Sequence, residues 1–217
     1  MVPGLRKLLL LLVVAALLVA ADVAARRAVE AQLESNIRRE VPSADRARVH
    51  IDSLPFLGRL ALAGRVRAVR ASVDDVQVDR LRFSRVRVEL RNVRIDRSTL
   101  VADRRVDLQT VDRGTAVAEL SQGALREALG GLPVILEEGR IGVTVRGVAL
   151  TVEASIREGV LRLSAGRLSI PPITVPKLPL LPCVTNAEAG PGVLRLSCRL
   201  NEVPQELLRR VNRELSR

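Results

Sequence analysis

The stretch RVRAVRASVDDVQVDRLRFSRVRVELRNVRID, from Arg65 to Asp96, decides the fold. Apolar residues alternate with polar ones along it: Val66 and Ala68, then Val69, Ala71 and Val73, then Val76 and Val78, Leu81 and Phe83, Val86, Val88 and Leu90, and finally Val93 and Ile95. A period of two belongs to β-strands, whose successive side chains point to opposite faces. Alternation this long predicts strands with one face in apolar surroundings. The other face, carrying Arg67, Arg70, Arg82, Arg85, Arg87 and Arg94, lies in water. Changes of phase near Asp74-Asp75 and Ser84 predict turns or bulges.

Toward the N-terminus, Leu54-Pro55-Phe56-Leu57-Gly58-Arg59-Leu60 reads as a turn into a short helix that stops at Gly64, preceded by a short strand from Val49 to Asp52. Before that, Ala28, Val29, Leu33 and Ile37 recur at helical spacing, and the Pro42 turn ends the helix. This amphipathic helix, Arg26 to Glu40, continues an apolar run from Leu8 to Ala21 that follows the cationic Arg6-Lys7. That is the layout of a secretory signal. As a helix the run spans roughly 21 Å, short of the ~30 Å hydrocarbon thickness. Cleavage near Val23-Ala24-Ala25 and retention as an anchor both fit, so residues 1–25 read as a signal peptide or membrane anchor and 26–217 as one domain.

Toward the C-terminus, Thr115 is expected to cap a second amphipathic helix, Ala116 to Leu129, striped by Val117, Leu120, Leu125 and Leu129 and stopped by Gly130-Gly131. Strands are expected at Pro133 to Leu136, Gly142 to Arg146, Val148 to Ala154 and Val160 to Leu163, with hairpin turns at Glu138-Gly139 and Glu158-Gly159. The segment Ile170 to Pro182, with five prolines among aliphatic residues, cannot be a central strand and should be extended or edge-lying. Pro204 opens a last helix to Leu215.

The two cysteines, Cys183 and Cys198, flank the turn Ala189-Gly190-Pro191-Gly192 symmetrically, so a hairpin would face them toward each other. An oxidising compartment would join them, closing a roughly 15-residue loop worth about 3 kcal/mol. Two separate buried thiols are the alternative; a metal site is poorer, since His50 is the sole histidine and is distant in sequence. The formal charge is +11. Loss of residues 1–25 would remove two cations and one anion, lowering it by a single unit. A basic exported domain implies an anionic partner such as lipid head groups, although a solvated arginine-rich surface accounts for part of the excess. Nucleic acid is disfavoured, because Phe56 and Phe83 are the only aromatic residues available for base stacking.

No nucleophile elbow, zinc-binding histidine pair, phosphate loop or calcium loop occurs, and the pairs Asp74-Asp75 and Glu137-Glu138 read as solvated turns. A non-enzymatic protein without a cofactor is therefore expected. A curled aliphatic sheet around an amphipathic helix can leave a groove for acyl chains, or fill that groove with its own side chains.

Particular strings carry a resemblance. Leu54-Pro55-Phe56-Leu57 before a short helix and Gly64-Arg65, the segment Leu178-Pro179-Leu180-Leu181-Pro182-Cys183-Val184-Thr185, and Val193-Leu194-Arg195-Leu196-Ser197-Cys198 together make the chain resemble the actinobacterial LmeA-like phospholipid-binding family. The likeness runs over nearly the whole chain after Ala25. It implies a periplasmic or outer-face envelope protein that binds phospholipid, with family members linked to mannan maturation of lipoglycans. It also implies an α+β fold of tubular lipid-binding type, a curved antiparallel sheet wrapped around a helix. The expected liners of an acyl groove are Phe56, Leu57, Leu60, Val66, Leu81, Phe83, Val117 and Leu120, with arginines at the rim pairing with anionic phospholipid. A membrane-anchored assembly partner of another envelope protein, docking through a sheet edge or the proline strip, is the competing reading.

Overall fold

The structure, a computed structural model, describes residues 3–41, 43–44, 46–79, 81–96, 98–99, 107–157, 160–165, 168–169, 172–174, 186–201, 203–206, 208–209 and 212. Helix α1 (Pro3–Glu40) is followed by β1 (Arg46–Asp52), α2 (Phe56–Ala63), β2 (Arg65–Val78), β3 (Leu81–Ile95) and β4 (Leu108–Ser121). Next come α3 (Gln122–Ala128), β5 (Val134–Glu137), β6 (Arg140–Val145), β7 (Val148–Arg157) and β8 (Val160–Ala165). The short β9 (Leu168–Ser169) and β10 (Ile173–Thr174) precede β11 (Asn186–Gly190) and β12 (Val193–Leu200). Among the described residues the strands form two six-stranded antiparallel sheets. The first has the order β1-β2-β3-β4-β12-β11; the second runs β10-β8-β7-β6-β5, with β9 paired to β8. Fold class α+β is thus as expected.

The decisive stretch forms the long hairpin β2–β3, with Val66 opposite Val93, Val73 opposite Val86 and Val78 opposite Leu81. No turn occurs at Asp74-Asp75; β2 runs through them, with Asp75 at φ 58°. The turn comes after Val78, at Asp79, which is also left-handed. Ser84 is a bulge, where the register between β3 and β4 shifts, and its hydroxyl donates to the Glu119 carbonyl. Asn92, again at positive φ, stands where the ladder skips opposite Arg67. A residue in this conformation breaks the two-residue repeat, so the ladder skips at Asp75 and at Asn92.

One expectation is corrected here. Thr115 does not cap a helix, and Val117 and Leu120 are strand residues: β4 continues to Ser121, which is the actual cap, its hydroxyl accepting from the Ala124 amide. The pattern Ala116, Ala118, Leu120 fits a period of two as well as a helix. Pairing to β3 on one side and β12 on the other settles it, since strands flank 114–120 on both sides. The helix that remains is seven residues long and ends where Gly130 and Gly131 take positive φ, as expected.

The main core lies where the two sheets meet. Phe83, Leu120, Leu125, Leu161, Leu163, Leu194 and Leu196 are almost fully enclosed in it. The Gly139 amide donates to the Ala189 carbonyl and that of Gly192 to Leu136, stitching β5 to β11 at one corner. A second cluster, Ile51, Phe56, Val66, Val93, Val111 and Leu208, sits under α2 at the other end of the first sheet. The described part of the last helix, residues 205–206, 208–209 and 212, covers it, and Asn212 exchanges hydrogen bonds with both backbone groups of Leu108. Ile173 and Thr174 form an edge strand on β8, as the prolines require. Apart from Pro172, the rest of the proline strip lies outside the described residues, as do Cys183, Leu215 and the Glu158-Gly159 turn. Cys198 is buried in β12. The β11–β12 ladder centres between Pro191 and Gly192, one residue beyond the midpoint of the two cysteines.

On the solvated face, arginines meet acids across strands. Arg85 bonds Asp74, Arg82 bonds Asp75, and Arg87 bonds Glu119, with Arg70 between Asp52 and Glu89. The hydrogen bond from Arg85, with the charges of Arg48 and Arg46 nearby, holds the Asp74 carboxyl below its ordinary value of 3.8. Arg82 does the same for Asp75. A carboxyl depressed in the folded state stabilises it above the unfolded value and stops doing so as pH falls through the folded one. The unfolding midpoint is therefore expected to hold from neutrality down to about pH 5 and to drop below about pH 4. In Arg85→Gln the acid-induced drop should be smaller; an unchanged acid profile, followed by circular dichroism, would refute the assignment.

Candidate functional site

An edge strand leaves alternate backbone amides without partners. On β1 those of Val49 and Ile51 are taken by side chains of α1: Glu34 Oε1 accepts from Val49 at 2.9 Å and Glu30 Oε1 from Ile51 at 2.7 Å. The spacing explains the fit. Four residues of helix rise about 6 Å and two of strand about 6.8 Å, so glutamates at i and i+4 reach amides at j and j−2. The same helix face carries Asp22 and Arg26, completing a row 22-26-30-34. Arg26 Nε lies 3.9 Å from Glu30, and His50 Nδ1 lies 3.4 Å from it. His50 is otherwise exposed on β1.

Asp22 is 8% exposed. Its Oδ2 accepts from the Phe56 amide at 2.9 Å and its Oδ1 from that of Leu57 at 2.6 Å. These are the first two amides of α2, whose preceding residue, Pro55, has no side-chain acceptor. A carboxylate from another helix thus does the work of an N-cap, and its charge faces the positive end of the α2 dipole. At the other end Gly64, at φ 57°, closes α2, and its carbonyl accepts from the Ile95 amide.

Held this way, α2 has two unlike sides. Phe56 is buried and Leu60 half-buried over the second cluster, whereas Leu57 is 40% and Leu62 81% exposed, with Leu54 65% exposed just ahead. Next to Asp22, the end of α1 displays Leu12, Val13, Val14, Leu17, Leu18 and Val19 to solvent. Among the described residues no helix is both long and apolar enough to cross a membrane. The helical stripe expected on α1 is rotated: Leu33 and Ile37 pack inward, but Ala28 and Val29 are exposed. The acids of the row, which periodicity of apolar residues ignores, face the sheet instead.

The expected groove liners divide. Phe56, Leu60 and Val66 come together beneath α2; Leu81, Phe83 and Leu120 belong to the main core; Leu57 is on the surface and Val117 half-buried in β4 outside both clusters. A feature the sequence did not announce lies past the end of α2. There a cleft of about 350 Å³ is lined by Gly64, Arg65, Arg94, Asp96, Ser98 and Gln109 among others. The Asp96 carboxylate accepts from the Ser98 hydroxyl and amide and from the Gln109 side chain, bonds that hold its carboxyl below the ordinary range.

A family model described as LmeA-like phospholipid-binding matches residues 20–214, so Asp22 falls inside the matched span. No curated protein and no solved structure gives a match.

Replacing the buried acceptor strands two amides. Asp22→Ala is expected to lower stability by about 1–3 kcal/mol and Asp22→Asn, which keeps one acceptor, by less. Denaturant unfolding of the full chain measures this; equal stability of all three would show that the Asp22 contacts carry no weight.

Proposed function

The chain belongs to the LmeA-like phospholipid-binding family, and from that premise we propose that it is a non-enzymatic phospholipid-binding protein of the cell envelope, working at the outer face of a membrane. Its role would be to hold acyl chains against the aliphatic surface of α2, in support of lipid transfer or of lipoglycan maturation. The observation that carries this reading is the pairing of exposed leucines on α2 with the exposed apolar end of α1, fixed side by side by Asp22. Exposed apolar surface is costly in water and marks contact with lipid or another apolar partner.

In this reading Leu54 and Leu57 meet the acyl chains, and Phe56, Leu60 and Val66 form the layer beneath, reached by a small displacement of α2. The tubular arrangement proposed from the resemblance would be completed by the second sheet closing over the first. The N-terminal helix is retained, because a cut after Ala25 would take Asp22 away from the α2 amides. The second reading, an anchored partner of another envelope protein, is favoured by Ile135 and Val148, which are exposed on β5 and at the start of β7. It calls for protein crosslinks at those positions.

Lipid extraction and mass spectrometry of the full chain, purified in mild detergent, are expected to find bound phospholipid. Leu54→Asp with Leu57→Asp should cut uptake from anionic vesicles several-fold while leaving the circular dichroism spectrum intact. A chain that carries no lipid and takes none from such vesicles defeats the reading. We also propose that Cys183 and Cys198 are joined, which the lack of any free cysteine among the described residues supports. Alkylation before reduction should then add no mass; addition of two alkyl groups would contradict the bond.

A further inference from the structure

We infer that the cleft past the end of α2 is a phosphate site, in which the guanidinium groups of Arg65 and Arg94 hold the phosphate of a lipid head group. The inference rests on the phospholipid-binding reading and adds a site to it. Arg65 and Arg94 are direct partners across the β2–β3 ladder. Like charges placed opposite each other destabilise a sheet. Elsewhere on this surface acids relieve it: Arg85 faces Asp74 and Glu119, Arg70 faces Glu89, and where Arg91 stands opposite Arg113 the Glu89 carboxylate bonds Arg91. Among the described residues neither Arg65 nor Arg94 has a carboxylate partner, although an acid lines the same cleft. Asp96 spends its acceptors on Ser98, Thr99 and Gln109 instead.

Among the described residues two cations against one fixed anion line the cleft, a net positive balance. Its volume, about 350 Å³, lies in the range of small-molecule sites. Two guanidinium forks on adjacent strands suit a tetrahedral anion, which accepts paired N–H groups and removes the mutual repulsion. The position suits a lipid in particular. Leu62, strongly exposed, sits on the last turn of α2 immediately before the cleft-lining Ala63 and Gly64. A phosphate held between the arginines would leave its tails running along the leucine side of the helix.

The test uses the full chain in detergent with dihexanoyl phosphatidylglycerol, below its micelle concentration, and inorganic phosphate as separate probes, binding being read by calorimetry. Arg65→Gln with Arg94→Gln is expected to weaken the short-chain lipid at least about ten-fold. A charge-matched control, Arg67→Gln with Arg113→Gln, should change it less than about two-fold, a ten-fold loss corresponding to about 1.4 kcal/mol. Arg94→Glu should abolish binding and raise the unfolding midpoint, because it places an acid opposite Arg65. Equal weakening by the cleft variant and the control would overturn the site in favour of general surface charge. Undiminished lipid binding by the cleft variant would also overturn it while leaving the phospholipid reading intact. Binding of inorganic phosphate at these arginines without any lipid uptake would keep the anion site, sink the lipid head group as its ligand, and count against the proposed function.

Discussion

Carboxylates on α1 reaching backbone amides outside their own helix are the constraint on which the rest of the structure depends. An unpaired buried amide costs about 1–3 kcal/mol. Glu34, Glu30 and Asp22 satisfy four such amides in sequence along β1 and into α2. The sheet thereby acquires a terminated edge without a further strand, and α2 acquires a capped start despite Pro55. Because α2 is pinned at both ends, by Asp22 and by the bond from Ile95 to Gly64, its outward leucines stay outward. Apolar burial beneath it alone would not fix its rotation.

Legibility in the sequence followed the strength of each periodic signal. The β2–β3 ribbon, α2 with its Gly64 stop, and the edge position of Ile173 were readable because alternation, a left-handed glycine and proline each have one structural consequence. The region 115–121 was not. Ala116, Ala118 and Leu120 satisfy two periods at once, and only the two neighbouring strands decide between them. The turn after Val78 was hidden because the phase slips at Asp75 before the chain reverses. Of the candidate site, the leucines of α2 could be named, but not which of them face out. The row 22-26-30-34 carries a readable signal, polar groups at i, i+4 spacing beside a predicted edge strand, and apolar patterning overlooks it.

The strong positive charge divides into two populations. Most of the described arginines on the long ribbon are laced to acids, at distances of 2.6 to 3.7 Å, and such exposed pairs contribute little individually. They make up a solvated, internally paired surface. Arg65 and Arg94 differ from them by standing opposite each other at the mouth of a cleft. Location therefore matters more than the total of +11.

Helix α1 is unbroken from Pro3 to Glu40. No swivel separates its apolar end from the part that grips the sheet. Each residue turns a helix by about 100°, so the side chains that meet Val49, Ile51 and Phe56 also dictate which way Leu12, Leu17 and Leu18 point. The helix acts as a spindle: adding or deleting one residue between Asp22 and Glu30 would keep its composition but rotate the body to a different bearing relative to the tip.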